Sequence, residues 1–470
     1  MALSGHALVC PPVLNLNLVT SLNVRYLKDL QGTSNSTLYS LRWIYWVTWR
    51  ESQSMTYDQT RDDEQLSKLD DAIGSFITRY NSNLSSTNRK TIFLFPGGMG
   101  SQLLRATTPE SDGPPYFYNT VWLDCSIAFG AGEHLQMQGD RDSDLQIIIP
   151  DGPVDFTTIR PYDKFIQWCD DNEVDYFVFA WDWRRDLKLT VDFFLNTFLP
   201  LFRSRVQAEC SPDPLQDFSL VGHSMGGMIV KLVSNRCNNP YVQLMKRAIT
   251  VATPFYGYGG QLPRYFVGDP DLNHFYPKRV VTRVISSLAA EYTVLFLDED
   301  TYNRDRAALM ADPKYPLLNY PSLDAATGAI ADPYNPKTKV GKVRYPQNYG
   351  FDLLKLKSGK LIYQQVAAPL DPAINSKFFN FRGVRTNGGG AVINDTVNRQ
   401  AWDWIAPNFD PETDTCPITD YLGPGDDTLP AWSTRLVGTP AANVRTLEGD
   451  LEHMFMMNND LVLNELAGVI

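Results

Sequence analysis

The sequence of 470 residues has no stretch that approaches the roughly 18 consecutive apolar residues of a membrane-spanning helix. It also has no run of basic residues, and its 42 Lys and Arg against 53 Asp and Glu give a net charge of −11. Nucleic-acid-binding proteins need basic surfaces to bind phosphates. The sequence therefore predicts neither a transmembrane segment nor a nucleic-acid partner.

Cysteine is sparse and dispersed, with six residues, no CxxC motif and no close pair. This pattern argues against a metal cluster and against a dense disulfide framework. No motif for a nucleotide, a metal or a flavin occurs either, so we expect no cofactor. The N-terminal sequence lacks the basic region and the unbroken apolar core of a signal peptide. We expect a cytoplasmic or peripheral protein, and the sequence leaves secretion open.

Short apolar runs recur along the chain, and each ends at Gly, Pro or Asp. Buried parallel strands have this composition, and the helical patterns between several runs indicate βαβ units. The sequence therefore predicts an α/β fold with a mostly parallel central sheet flanked by helices. The predicted strands are 91–95, 175–181, 218–222, 248–254, 377–384 and 444–450.

Three regions lack this alternation of short apolar runs and helical patterns. Residues 1–90 form an N-terminal extension, in which apolar residues at helical spacing predict a helix at about 60–80. The domain that follows, 91–470, contains two long inserts, at about 105–160 and about 256–375. Inserts of this length at the carboxyl edge of a sheet usually build lids or caps, which we expect of the first and the second respectively.

The segment "LVGHSMGGMI" near the middle of the chain fits the pattern G-x-S-x-G, with Ser224 at its centre. An apolar strand precedes it and a helical pattern follows, which is the context of a nucleophile elbow. The small residues Gly222 and Gly226 leave room for the backbone crossing, and the helix N-terminus favours developing negative charge. The alternative is a glycine-rich turn with an incidental serine.

A serine nucleophile needs a base and an orienting acid, which in such folds follow it in the order acid, then histidine. Only His274 and His453 lie after Ser224. His274 lies inside an insert, whereas His453 follows the last predicted strand, so His453 is the predicted base. The turn "GPGDDTLP" supplies the acid, and the residues alone leave Asp426 and Asp427 both open, with Asp420 and Asp450 as weaker candidates.

The oxyanion of an acyl-transfer reaction needs two N–H donors. One is the N–H of Met225, directly after the serine, and the other comes from a loop after an early strand. The loop "FPGGMGSQL" fits, and its predicted donor is Gly98, with Met99 as the alternative. Aromatic residues in the inserts suggest an apolar acyl site, although ordinary packing explains each one equally well. The predicted substrate-binding residues are Met99, Trp122 and Tyr256.

Several motifs occur in one order that resembles the lecithin:cholesterol acyltransferase-like family, from about residue 91 to the C-terminus. The resemblance implies an α/β-hydrolase with cap insertions that cleaves acyl esters. It implies Ser224 as nucleophile, His453 as base, Asp426 as acid, and a structural turn at Asp182 and Arg184. It also matches Gly98 to an oxyanion donor and the segment around Trp122 to a substrate-facing lid. The motifs are "FPGGMGSQL", "WLD", "WDWRRD", "GHSMGG", "ATPFYG", "GDDTLP" and "EHM".

The sequence thus predicts a serine hydrolase that cleaves carboxylic, lipid or other acyl esters through an acyl-enzyme. One alternative is an acyltransferase that moves an acyl group from a phospholipid to an alcohol, and another is a lactonase or amidase with the same triad. A third is a catalytically silent lipid-binding protein on a hydrolase fold. We expect an ester or lipid as the partner molecule, with peripheral contact to lipid surfaces.

Overall fold

The six predicted strands are all present in the structure, a computed structural model. It describes residues 61–82, 89–107, 117–122, 135–138, 141–142, 147–156, 159–270, 272–274, 276–335, 350–403, 405 and 408–470. Its strands are β1 (Lys90–Phe95), β2 (Ser101–Thr107), β3 (Phe117–Trp122), β4 (Met137–Gln138), β5 (Arg141–Asp142), β6 (Ile147–Pro153), β7 (Val174–Val178), β8 (Phe218–His223), β9 (Arg247–Val251), β10 (Ser322–Asp324), β11 (Phe378–Arg385), β12 (Thr396–Trp402), β13 (Ile418–Gly423) and β14 (Val444–Gly449).

The helices cover both faces of the central sheet. They are α1 (61–82), α2 (Asp163–Asp171), α3 (Leu187–Phe193), α4 (Leu199–Glu209), α5 (Met225–Ser234), α6 (Pro240–Leu244), α7 (Gln261–Val267), α8 (Lys278–Ser287), α9 (Glu299–Met310), α10 (Leu353–Val366), α11 (Pro372–Asn375) and α12 (Asp460–Val469). A π-helical turn, Phe194–Phe198, joins α3 to α4. Among the residues described, no helix is long and apolar enough to cross a membrane.

The central sheet has the strand order β14-β11-β9-β8-β1-β7, and all neighbours are parallel. Side chains alternate between its faces along each strand. In β1, Phe93 and Phe95 contact one apolar cluster with α1, α4 and α5, while Ile92 and Leu94 contact a second with α2 and α12. Burial on both faces explains why residues 92–95 of β1 form a continuous apolar run.

This six-stranded parallel sheet, with helices on both faces and a strand–serine–helix turn after β8, is the α/β-hydrolase fold that the sequence predicts. The carboxyl ends of β1, β8, β11 and β14 meet at one edge of the sheet. Segments that are far apart in the sequence therefore meet there: the loop after β1, the elbow after β8, the loops that follow β11 and β13, and the turn after β14.

Helix α1 matches the helix predicted at about 60–80, and its apolar side packs into the same core as the sheet. Phe76 and Tyr80 are buried, and Arg61 donates to the Asp182 carboxylate across 3.3 Å. Asp182 also accepts two hydrogen bonds, of 2.9 and 2.8 Å, from the Arg184 guanidinium and one, of 3.2 Å, from the Arg184 N–H. These bonds lie within a turn at 182–185, where the Arg185 N–H donates to the Asp182 carbonyl at 3.1 Å. Residues 1–60 of the predicted extension lie outside the described residues, and the division at residue 90 stays a prediction.

The described parts of the inserts form separate small elements. In the first insert and the residues just before it, β2 pairs antiparallel with β3 and β6. The second insert contributes α7 to α10 and β10. An additional sheet has the strand order β10-β12-β13. It lies partly outside both predicted inserts, because β12 and β13 follow the end of the second insert at about residue 375. Residues 108–116, 123–134 and 336–349 of the inserts lie outside the described residues, and the lid and cap roles remain predictions.

Candidate active site

Ser224 lies in a sharp turn between β8 and α5. Its backbone has φ 54° and ψ −126°, a region that residues with a side chain rarely adopt. Its N–H donates to the Val251 carbonyl at the end of β9, at 2.9 Å. Backbone strain of this kind is typical of a nucleophile elbow, in which the serine hydroxyl projects beyond the edge of the sheet, and the turn at Ser224 stays a candidate for one.

The glycines on either side of the serine allow the backbones to approach closely. A Cβ on Gly222 would lie 2.5 Å from the Gly226 carbonyl oxygen, and a Cβ on Gly226 would lie 2.1 Å from the Phe95 carbonyl oxygen. Real Cβ atoms do not approach backbone atoms this closely. The requirement for small residues two positions before and two after Ser224 is therefore steric, as the sequence predicts.

His453 begins a 3-10 turn directly after the last strand of the sheet, and its ring is brought to Ser224. Its Nε2 lies 2.9 Å from Ser224 Oγ, and its Nδ1 lies 2.9 Å from Asp426 Oδ2. The His453 N–H also donates to the Asp426 carbonyl, at 2.9 Å. A hydroxyl in this arrangement can lose its proton to the imidazole as its oxygen attacks a carbonyl carbon.

The two adjacent aspartates have different surroundings. Asp426 is fully buried, and its Oδ1 accepts the N–H of Leu429 at 2.7 Å while its Oδ2 contacts the imidazole. Asp427 adopts a left-handed φ of 71°, and its carboxylate accepts from Thr428 and lies 3.7 Å from Arg385. The structure thus brings the carboxylate of Asp426, and not that of Asp427, to the ring of His453.

Two opposing effects act on the pKa of His453. Burial lowers it, but the Asp426 carboxylate, which is both charged and hydrogen-bonded to the ring, and the Asp427 carboxylate raise it. The net result is a pKa above the ordinary value of about 6.5. Burial raises the pKa of Asp427, helped by the charge of Asp426. The imidazole is therefore a stronger base than a free histidine.

The predicted oxyanion donors lie together at this site. Met225 is the first residue of α5, so its N–H has no acceptor within the helix. A Cβ on Gly98 would lie 2.5 Å from the Met225 sulfur, and a Cβ on Gly97 would lie 3.0 Å from Ser224 Cβ. The loop after β1 is thus packed directly onto the elbow. The Gly97 N–H donates to the Tyr162 hydroxyl, at 2.7 Å, so this amide is already engaged.

The three predicted substrate-binding residues are in different places. Met99 has a φ of 61°, and its carbonyl accepts from the indole of Trp122 at 2.7 Å. Trp122 packs edge-on against Trp183, with ring centroids 5.2 Å apart. Tyr256 is fully buried, and its hydroxyl donates to Asp305 at 2.9 Å. These contacts support packing roles for Trp122 and Tyr256, and substrate binding by any of the three stays a prediction.

Tyr162, which precedes α2 and contacts the elbow, is not among the predicted site residues. Its hydroxyl lies 3.1 Å from Nδ1 of His223, the histidine beside the nucleophile. No local pattern identifies it, because it lies in an irregular segment and meets the elbow only in the folded chain.

Among the described residues, no group of three or more His, Cys, Asp or Glu could hold a metal ion.

The solved structures to which this chain is similar share little of its sequence. No family model and no curated protein sequence matches this chain. It is similar to the crystal structure of the Tle4–Tli4 complex, with 13% identity over 80% of this chain and 97% of that chain and a TM-score of 0.43. It is also similar to phospholipase PlaB from Legionella pneumophila, with 10% identity over 72% of this chain and a TM-score of 0.20. The match spans about half of that phospholipase, 51%.

Proposed function

We propose that this chain is a serine hydrolase that cleaves carboxylic esters through an acyl-enzyme. The observation that carries the proposal is the continuous contact from Ser224 Oγ to His453 Nε2, at 2.9 Å, and from His453 Nδ1 to Asp426, also at 2.9 Å. A strained elbow holds the serine, and a raised pKa makes the histidine a stronger base. The arrangement of these three side chains supports the proposal, because acyl transfer requires a nucleophile, a base and an acid in such contact.

In the proposed reaction, Ser224 Oγ attacks the ester carbonyl carbon while His453 Nε2 accepts its proton. The carbonyl electron pair moves onto the oxygen, and the N–H groups of Met225 and Gly98 stabilise that oxyanion. Asp426 stabilises the imidazolium. The intermediate then expels the alcohol, which takes its proton from His453, and leaves the acyl group on Ser224. A water molecule attacks this acyl-enzyme by the same steps and releases the acid.

We infer that the acyl group is that of a lipid. The resemblance to the lecithin:cholesterol acyltransferase-like family, from about residue 91 to the C-terminus, supports this substrate class. The second support is the abundance of aromatic residues in the two inserts, at about 105–160 and 256–375. The two predicted inserts adjoin the carboxyl edge of the sheet, where an acyl chain would be bound if they form the lid and the cap.

Hydrolysis of p-nitrophenyl esters of increasing chain length tests the proposal. We expect turnover by the wild type and a loss on the order of 10⁴-fold or more in Ser224→Ala. Ser204→Ala, which removes an exposed hydroxyl from α4, is the matched control and should keep wild-type turnover. A wild type without turnover on any ester would contradict the proposal and favour a silent lipid-binding protein.

An added alcohol separates hydrolysis from transfer. With a phospholipid as acyl donor, hydrolysis yields free fatty acid whether or not a long-chain alcohol is present. An acyltransferase would yield a new ester at the expense of the acid, since the alcohol replaces water in the attack on the acyl-enzyme. We expect free acid as the main product, because hydrolysis needs no second binding site.

A further inference from the structure

A series of hydrogen bonds runs behind Ser224 and joins the loop after β1 to the turn that begins at His453. The Gly97 N–H donates to the Tyr162 hydroxyl at 2.7 Å, and that hydroxyl lies 3.1 Å from His223 Nδ1. His223 Nε2 then lies 2.9 Å from the His453 carbonyl oxygen. Tyr162 and His223 are almost completely buried, so water does not compete for these bonds. We call this series the Tyr162–His223 relay.

The direction of each bond in the relay follows from the groups available. The Tyr162 hydroxyl accepts from Gly97, so its single hydrogen is free to donate to His223 Nδ1. Nδ1 is then the acceptor nitrogen, and the Nε2–H donates to the His453 carbonyl. Burial, together with the charge of His453, lowers the pKa of His223 well below its ordinary value, which keeps the ring neutral. Burial raises the pKa of Tyr162, which keeps its proton.

At one end, the relay holds Gly97, the residue directly before the proposed oxyanion donor, by its N–H. The Gly97 N–H is held by Tyr162, and the Gly97 carbonyl accepts the Gly100 N–H at 3.0 Å. In a trans peptide the carbonyl and the following N–H point in opposite directions. Because the Gly97 carbonyl is held towards Gly100, the Gly98 N–H is fixed on the other side of the same peptide plane.

At the other end, the relay contacts the backbone of the proposed base. The His453 carbonyl accepts from His223, while its ring contacts Ser224 and Asp426. The segment that carries Tyr162 is also bonded to the turn after His453. The Asn458 side chain donates to the Arg160 carbonyl at 2.6 Å and accepts from the Lys164 N–H at 2.9 Å. The base and the oxyanion loop are therefore held by one hydrogen-bonded unit.

We propose that Tyr162 and His223 are positioning residues for ester cleavage, which fix the Gly98 N–H and the His453 backbone relative to Ser224. The proposal rests on the proposed function and assigns a role to two residues that do not touch the reacting atoms in it. Donors that are fixed in advance stabilise an oxyanion without reorganisation, and small displacements of such groups are costly. Loss of the relay should therefore slow the chemical step more than it weakens substrate binding.

The first variant is Tyr162→Phe, which keeps the ring and removes the hydroxyl. We expect kcat to fall by roughly 10- to 100-fold with KM within about 2-fold, since the lost group acts on the transition state. Tyr292→Phe is the matched control, because the buried Tyr292 hydroxyl likewise accepts a backbone N–H, from Asp352, and donates to a carbonyl, of Ser286. It should lower the thermal midpoint comparably and leave kcat unchanged.

Two replacements of His223 separate hydrogen bonding from packing. His223→Gln keeps one acceptor and one donor, whereas His223→Leu keeps only an apolar side chain of similar size. We expect His223→Gln to retain most of kcat and His223→Leu to lose roughly 10- to 100-fold. If packing alone mattered, His223→Leu would be at least as active as His223→Gln. Thermal midpoints of both variants, measured alongside, separate slower chemistry from a less stable fold.

Two results would overturn the proposal while leaving the proposed function intact. One is a kcat of Tyr162→Phe no lower than that of Tyr292→Phe, in a wild type that hydrolyses esters. The other is a His223→Leu variant as active as His223→Gln. A wild type that cleaves no ester would overturn the proposed function first and this proposal with it, because the relay would then have no reaction to support.

Discussion

The imidazole of His453 lies near two carboxylates that differ in their contact with it. Asp426 is hydrogen-bonded to the ring, whereas Asp427 acts through its charge and accepts, at 3.4 Å, from the His453 backbone N–H. Both raise the pKa of His453, against the effect of burial. A general base acts only in its neutral form, so ester cleavage should fall as the pH decreases through this raised pKa.

The pH profile of kcat/KM tests the roles of the two aspartates. We expect the acidic limb of the wild type to have its midpoint above 6.5, and Asp427→Asn to lower that midpoint while kcat at pH 8 stays within about 3-fold. Asp426→Asn should lower kcat on the order of 10³- to 10⁴-fold, because the ring loses the acceptor that orients it. An unchanged midpoint in Asp427→Asn would contradict this assignment.

Gly97 is the residue through which the loop after β1 contacts the elbow. A Cβ there would lie 3.0 Å from Ser224 Cβ and 3.3 Å from His223 Nδ1, so Gly97→Ala must displace one of them. We expect kcat to fall by roughly 100-fold, as a displacement of about 1 Å can cause. Gly388→Ala, where an added Cβ meets nothing within 4 Å, is the control and should keep full activity. Equal activities of the two variants would show that the contact is unimportant.

Ser224 and His453 could be identified from the sequence as the candidate nucleophile and base because few alternatives exist. Ser224 stands in a recognisable strand–turn–helix pattern, and only one histidine follows the last strand. The choice between Asp426 and Asp427 depends on the left-handed turn at Asp427, which no spacing rule encodes. Tyr162 was not predictable, because its contacts with Gly97 and His223 exist only after the chain folds.

Among the elements, α5, which begins directly after Ser224, contains a buried lysine. Lys231 is fully buried, and its Nζ donates to Asn235 at 2.6 Å and to the Gln365 carbonyl at 3.4 Å. Within the described part of the chain it forms no ion pair with a carboxylate. Burial, followed by the charge of Arg304, lowers the pKa of Lys231 to about 7. A charged lysine at this position therefore destabilises the fold.

Lys231 should make stability depend on pH in the alkaline range. Its pKa is about 7 in the folded chain, against an ordinary lysine value of 10.5. Between pH 7 and pH 10.5 Lys231 is protonated in the unfolded chain and neutral in the folded chain, so the free energy of unfolding rises with pH. Below pH 7 the lysine is protonated in both states, and the full cost of burying its charge lowers the free energy of unfolding. Lys231→Met should flatten this rise and stabilise the protein at pH 7 by a few kcal/mol.

Urea unfolding of Lys231→Met at pH 7, 8 and 9 measures this effect, with the midpoint and the slope followed separately. Lys357→Met, which replaces an exposed lysine of α10, is the control and should keep the wild-type dependence. A wild-type free energy of unfolding that does not change between pH 7 and 9 would contradict this role of Lys231. So would a Lys231→Met variant that is less stable than the wild type at pH 7.

The elements that were predicted and those that were missed differ in how they are buried. Four strands of the central sheet, β1, β8, β9 and β11, are buried along most of their length and read as largely apolar runs, so they were predictable from the sequence. The edge strand β14 is only partly buried, and its prediction depended on its position before His453. In contrast, β12 reads "TVNRQAW" and β13 reads "ITDYLG", with polar residues between the apolar ones. β13 is exposed over most of its length. Such strands give too weak a signal to separate from loops.

At the scale of the whole molecule, α1 belongs to the core although it lies before the predicted domain. Phe76 contacts Phe202 and Phe177, with ring centroids 5.1 and 6.3 Å apart, and these join the cluster around Phe93 of β1. The periodicity of α1 predicted the helix itself. The periodicity could not indicate which elements pack against α1, because an amphipathic pattern shows which side of a helix is buried and not which residues cover that side.

Truncation of Phe76 tests whether α1 stabilises the catalytic core. We expect Phe76→Ala to lower the free energy of unfolding by roughly 3 to 5 kcal/mol, the cost of a large cavity among packed rings. Thr78→Ala, on the exposed side of the same helix, should change it by less than about 0.5 kcal/mol. Guanidinium unfolding monitored by circular dichroism gives both values. Equal stabilities would place α1 outside the core.

The central claim is that Ser224 is a nucleophile activated by His453 and Asp426. Reaction of the folded protein with a fluorophosphonate, followed by peptide mass spectrometry, measures this most directly. The account predicts a single phosphonyl adduct on Ser224, which disappears in Ser224→Ala and forms at least ~100-fold more slowly in His453→Ala. No adduct, or an adduct on another residue that persists in Ser224→Ala, would contradict it.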